Sequence, residues 1–203
     1  LGRITYNFEE DIIASAKTIC KRYKGNQAHA EYLEQMAGKF FDLLQKYHGL
    51  GERERLLLRL AAILHDCGKF ISMSAPGECA YQIIMSTEIL GISHMEREMV
   101  ASIVRYNTME LPNFNEFDGK LGNDEYLIVM KLAAILRVCN ALDRSHRQKF
   151  ADMKLTIKDS NIVITTAYPD NITLEKKTLQ DKQDFFEEVY GLGFEIKQKK
   201  KKQ

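Results

Sequence analysis

From Tyr6 to about Gln148 apolar residues recur at helical spacing, and after Phe150 they fall on every second position. A period near 3.6 places side chains on one helical stripe, whereas a period of two belongs to a half-buried strand. The chain is therefore read as mainly α, a helical bundle over 1–150 followed by a small α+β unit over 151–197, with a basic tail at 198–203. At 203 residues, 45% hydrophobic and 28% charged, it has enough apolar material for a packed core.

Helix signals mark the elements. Glu9, Glu10 and Asp11 give a first helix an acidic start, and Gly25 ends it. A second carries His29, Leu33, Met36, Phe40 and Leu44 and stops at Gly49, and a third runs over 53–65. Ser74-Ala75-Pro76-Gly77 breaks the pattern, so the next helix is expected over 80–90. Ser93, with Glu96 three residues on, caps a helix to Tyr106, and the last helix of the bundle is expected from Asp124 to about Arg147. The segment 107–122 reads as the longest loop.

Beyond it, alternation at 153–158 and 162–166 around Asp159-Ser160-Asn161 predicts a hairpin. A short strand at 172–175, a helix over 179–190 and a last strand at 194–197 complete the small unit, and the lysines that follow are expected to fray.

Charge and cysteine usage exclude several classes. A net charge of +1 gives no electrostatic demand for nucleic acid, and no apolar run approaches a membrane span. Cys20, Cys67, Cys79 and Cys139 stand singly without metal-site spacing, so they are read as reduced thiols of a cytoplasmic protein.

Two clusters could carry chemistry. In Leu64-His65-Asp66-Cys67-Gly68-Lys69 an adjacent His-Asp pair ends an apolar helix, and the two residues lie about 100° apart on it. On the late helix, Arg137, Asn140, Arg144 and Arg147 step by three, four and three and would share one face, with Lys69 and Arg105 able to approach it. Guanidinium groups hold phosphate oxygens bidentately, so this face is a candidate phosphate track, or else a solvated charged surface.

With His29 opening an earlier helix, the His-Asp pair resembles the HD superfamily, whose metal site takes a histidine, a His-Asp pair and a distant aspartate. The resemblance assigns His29, His65 and Asp66 to the first three positions and Asn140 to the fourth, where it replaces the expected aspartate. Asp143 falls at the edge of the apolar stripe. An amide is a weaker ligand than a carboxylate, so the site reads as vestigial, its three residues bonding to each other and holding no tightly bound metal.

More broadly, Phe40-Phe41-Asp42-Leu43-Leu44, Arg53-Glu54-Arg55-Leu56-Leu57-Leu58, Leu90-Gly91-Ile92-Ser93 and Ala141-Leu142-Asp143-Arg144-Ser145 occur in the order of the C-terminal region of the exopolyphosphatase/guanosine pentaphosphate phosphatase family. Gly77-Glu78-Cys79-Ala80 stands where that family often carries a histidine-rich motif, and Asn107 where it carries a histidine. The resemblance implies an accessory region that assists binding of polyphosphate or guanosine pentaphosphate and forms a homodimer. It also implies hydrolysis by actin-like domains using Mg2+, domains of which 1–203 shows no glycine-rich phosphate loop. This chain alone is then expected to be inactive. The rivals are an autonomous metal-dependent HD phosphohydrolase acting on a nucleotide and a structural dimerisation scaffold.

Overall fold

A computed structural model describes residues 8–117 and 120–199. Eight helices are followed or interleaved by three strands: α1 Phe8–Arg22, α2 Gln27–Leu43, α3 Gln45–His48, α4 Glu52–Leu64, α5 Pro76–Ser86, α6 His94–Arg105, α7 Asn123–Leu142, β1 Lys154–Lys158, β2 Asn161–Thr166, α8 Thr173–Tyr190 and β3 Gly193–Gln198. The architecture is mainly α, a helical bundle with a small α+β part.

α4 is the axis of the bundle. Leu56, Leu57 and Leu58 and all of 60–64 are buried, so the helix is apolar on every side, as a helix surrounded by others must be. It packs against α1, α2, α6 and α7. Arg59, the polar break in that run, donates to Glu34 of α2 and Glu9 of α1 and ties the three helices together at their rim.

α6 starts where its cap signal lies: the Ser93 hydroxyl accepts from the Glu96 amide, and the Glu96 carboxylate accepts from the Ser93 amide. α5 departs from expectation. Pro76 opens the helix instead of breaking it, because at the first helical position its missing N–H costs nothing and its fixed φ suits the turn. α7 ends at Leu142, short of the expected Arg147.

The hairpin forms with Lys154 opposite Thr165 and Lys158 opposite Asn161. Asp159 and Ser160 both adopt positive φ, at 50° and 60°, which matches the twist of a two-residue hairpin. Residues 172–175, expected as a strand, are the start of α8; the Asn171 side chain accepts from the Thr173 amide and commits the chain to a helix. β3 pairs parallel with β2 and runs one residue beyond the expected 197, with Gln198 opposite Thr166. The Gln198 amide donates to the carbonyls of Tyr168 and Asp170, so this residue is held, while tail residues 200–203 lie outside the described ones.

The small unit is fastened to the bundle by α7 against α8 and by buried polar contacts. Lys149 Nζ donates to the Asn171 carbonyl and the buried Glu175, and the Tyr190 hydroxyl donates to the Lys131 carbonyl. Ile162, Ile164, Leu179 and Phe186 belong to the same apolar cluster as the helices. Among the described residues no helix is long and apolar enough to cross a membrane. The four cysteines are free, and all but Cys79 are buried.

Candidate functional site

The His-Asp pair sits where α4 stops. His65 is the helix C-cap and Asp66 precedes a 3-10 turn over Cys67–Phe70. Gly68 permits this turn to pack beneath the start of α5: a Cβ there would lie 2.0 Å from the Pro76 carbonyl oxygen and 2.6 Å from the Ala80 nitrogen. His29 enters from the first turn of α2, its amide capped by the Asn26 side chain at 3.1 Å.

His29, His65 and Asp66 converge, and one ligand atom from each lies within 4.8 Å of the others. His29 Nε2 is 3.1 Å from His65 Nε2 and 3.9 Å from Asp66 Oδ2, and His65 Nε2 is 3.3 Å from Asp66 Oδ1. All three are buried.

The carboxylate that completes the group is Asp143, not Asn140. Asp143 Oδ2 accepts from His29 Nδ1 at 2.6 Å, and the same side chain accepts from the Gln148 amide at 2.8 Å and from Gln148 Nε2 at 3.1 Å. It is 0% exposed. A helical wheel continued through 143 puts it at the stripe edge, but Asp143 is the C-cap of α7, where φ is −118° and the wheel no longer applies. The chain then turns through His146 and Gln148, both at positive φ, a costly conformation for residues with a Cβ. That turn lays the His146 ring over His29 with centroids 3.8 Å apart. Sequence reasoning missed His146 and Gln148, since no spacing rule reaches across such a loop.

Hydrogen-bond partners assign the ring protons. His29 Nδ1 faces an acceptor, and so does His65 Nδ1, 2.7 Å from the Ala62 carbonyl oxygen. Each Nδ1 therefore carries hydrogen, and the two facing Nε2 atoms would both present lone pairs if both rings were neutral. Either a proton or a cation must stand between them. Burial, the largest influence, pushes the His65 imidazole down to about 4, and His29 lies between Asp143 and Asp66. Burial raises the Asp66 carboxyl, but His65, the Lys69 ammonium and His29 outweigh it and hold it below the ordinary carboxylate range. Lys69 Nζ is 2.7 Å from Asp66 Oδ1.

Two imidazoles and a carboxylate, with a second carboxylate orienting the first ring, also form a donor set suited to a divalent transition metal. Two ligand atoms at right angles around an ion at about 2.1 Å are about 3.0 Å apart, close to the His29–His65 separation. Against this, the Lys69 ammonium already holds one Asp66 oxygen.

The expected arginine face is not assembled. Arg137 turns inward, donating from Nε to the Tyr106 carbonyl at 2.7 Å and from Nη2 to the Met109 carbonyl at 2.5 Å, with its guanidinium over the Phe185 ring. Arg144 and Arg147 follow the end of α7, so they share no helical face with it; both are exposed. Arg105 pairs with Glu78 at 2.8 Å and lies over the Tyr81 and Tyr106 rings. Lys69 reaches the pocket through Asp66, and Arg144 and Arg147 flank His146 in the chain.

A family model described as Ppx/GppA phosphatase, domain III, matches residues 13–184. No curated protein matches the chain.

Proposed function

Since the chain belongs to the Ppx/GppA phosphatase family, with domain III over residues 13–184, we propose that it serves as a non-catalytic accessory region of an exopolyphosphatase-like enzyme. Its His-Asp pocket is a closed proton relay that fixes the fold. A basic rim beside it assists in holding polyphosphate or guanosine pentaphosphate.

The observation that carries this reading is the completeness of the relay. Asp143 accepts from His29 Nδ1, the two Nε2 atoms of His29 and His65 face each other at 3.1 Å, His65 Nδ1 donates to the Ala62 carbonyl, and Lys69 pairs with Asp66. Two carboxylates are balanced by the Lys69 ammonium and by one proton held between the facing Nε2 atoms, so the buried charges cancel without an ion. Phosphate binding draws on Arg144 and Arg147, which have no ion pair among the described residues, and on Lys69, whose side chain is 37% exposed. Self-association would draw on Phe70, Ile71 and Met73, exposed together on the turn after Asp66.

The test is binding of long-chain polyphosphate to the purified chain at rising salt, alongside an assay of phosphate release with Mg2+. Salt-sensitive binding without release is expected. Release that survives exclusion of contaminating phosphatase would overturn the non-catalytic assignment.

A second reading, a metal-dependent phosphohydrolase acting on a nucleotide, is favoured by one observation, the two facing Nε2 atoms beside Asp66. There the ion would polarise a phosphoryl oxygen and supply hydroxide, and Asp143 would orient His29.

A further inference from the structure

A cavity of about 530 Å3 lies between the 107–113 segment, α7 and α8. Its wall on α8 is acidic. Asp181, Asp184 and Glu188 are spaced three and four residues apart, so they stand on one helical face with rises of about 4.5 and 6 Å between them. All three are exposed, and none has an ion pair among the described residues. Glu110 adds a fourth carboxylate across the cavity.

The rest of the lining is mixed. Tyr126, Met130 and Phe185 supply hydrocarbon and ring surface. Arg137 is held by two backbone carbonyls and the Phe185 ring, and burial lowers its guanidinium from its ordinary value. With Lys182 it offsets two of the four carboxylates, which leaves the lining anionic. Asn107 lines the same cavity at 5% exposure, and neither atom of its side-chain amide has a hydrogen-bond partner. A buried amide without partners calls for one, since leaving it unpaired is costly.

We infer that this cavity binds a linear organic polyamine. Ammonium groups separated by three or four methylenes match the carboxylate rises along α8, and the methylenes lie on Met130 and Phe185. The Asn107 carbonyl oxygen accepts from one ammonium. A bare divalent cation would take the carboxylates and the Asn107 carbonyl oxygen but leave the apolar surface unused.

The test is isothermal titration of the whole chain with a triamine having three- and four-methylene spacers, compared with magnesium chloride at equal ionic strength. Saturable binding of one triamine per chain is expected, with Asp184→Asn plus Glu188→Gln weakening it by about tenfold at unchanged melting temperature. In the parent, the Met130 methyl resonance should shift on titration. Absence of saturable binding, equal affinity in the double variant, or displacement of the triamine by magnesium at matched ionic strength would each overturn the assignment.

Discussion

His29 and His65 face each other through their Nε2 atoms at 3.1 Å, and each has already committed its Nδ1 hydrogen to an acceptor, Asp143 and the Ala62 carbonyl respectively. The contact holds only with one added positive charge, and its energetics rest on the carboxylate behind His29. Asp143→Ala should destabilise the chain by about 3 kcal/mol, because it leaves a buried ring without its charged partner. Asn140→Ala, at the position first assigned to the site, should cost no more than about 0.5 kcal/mol. Denaturant melts of the two variants decide between them, and equal losses would return Asn140 to the site.

Glycine substitutions separate backbone constraint from mere proximity. A Cβ at Gly68 meets the Pro76 carbonyl at 2.0 Å, whereas one at Gly38 meets the Arg55 Nη2 tip at 2.8 Å. Backbone cannot yield cheaply and a long side chain can. Gly68→Ala should therefore cost about 2–3 kcal/mol, and Gly38→Ala, in the interior of α2, should stay within about 1 kcal/mol of neutral. Thermal melts measure both, and similar losses would contradict the packing described at the α4–α5 turn.

Stability should fall in mild acid through His48. Its Nε2 donates to the Phe41 carbonyl at 2.9 Å and its Nδ1 accepts from the Leu50 amide at 2.9 Å, so the neutral ring is required. Burial, the largest influence, lowers its affinity for a proton from the ordinary 6.5. A depressed imidazole contributes stability that is present above pH 6.5 and lost as pH falls toward its value in the folded chain. The acid-side loss should shrink in His48→Gln; melts from pH 7.5 to 5 with an unchanged loss would exclude this histidine as the cause.

Arginine variants should divide by role. Arg144→Ala with Arg147→Ala should weaken polyphosphate binding while leaving the melt unchanged, since exposed charges contribute little to stability. Arg137→Ala should instead lower stability by about 1–3 kcal/mol, because the Tyr106 and Met109 carbonyls lose their donor. Filter binding at low salt, with melts of each variant, checks both; a binding loss confined to Arg137→Ala would restore the helical track.

Most of the bundle was legible because its signals are local. The apolar phase of α2 and α4, the Ser93–Glu96 cap and the Asp159-Ser160 turn each depend on residues within a few positions. Errors arose where one residue has two opposite meanings: Pro76 breaks a helix interior but opens a helix at its first position, and 172–175 alternates like a strand although the Asn171 side chain accepts from the Thr173 amide where α8 begins. Three residues of the pocket were readable by type and order, whereas Asp143 was set aside because helical geometry was carried past the end of α7. His146 reaches His29 only through a turn with two positive φ angles, which no periodicity encodes.

The central claim is that the His29–His65–Asp66 pocket is closed by a proton and by Lys69, with Asp143 behind it. The most direct measurement is elemental analysis after the purified chain has been equilibrated with manganese and zinc and then dialysed without chelator. The account predicts well under one equivalent of metal per chain, and the same result for Asp143→Ala. About one manganese or zinc per chain, lost together with His29→Ala or Asp66→Ala, would contradict it and make the pocket a metal centre.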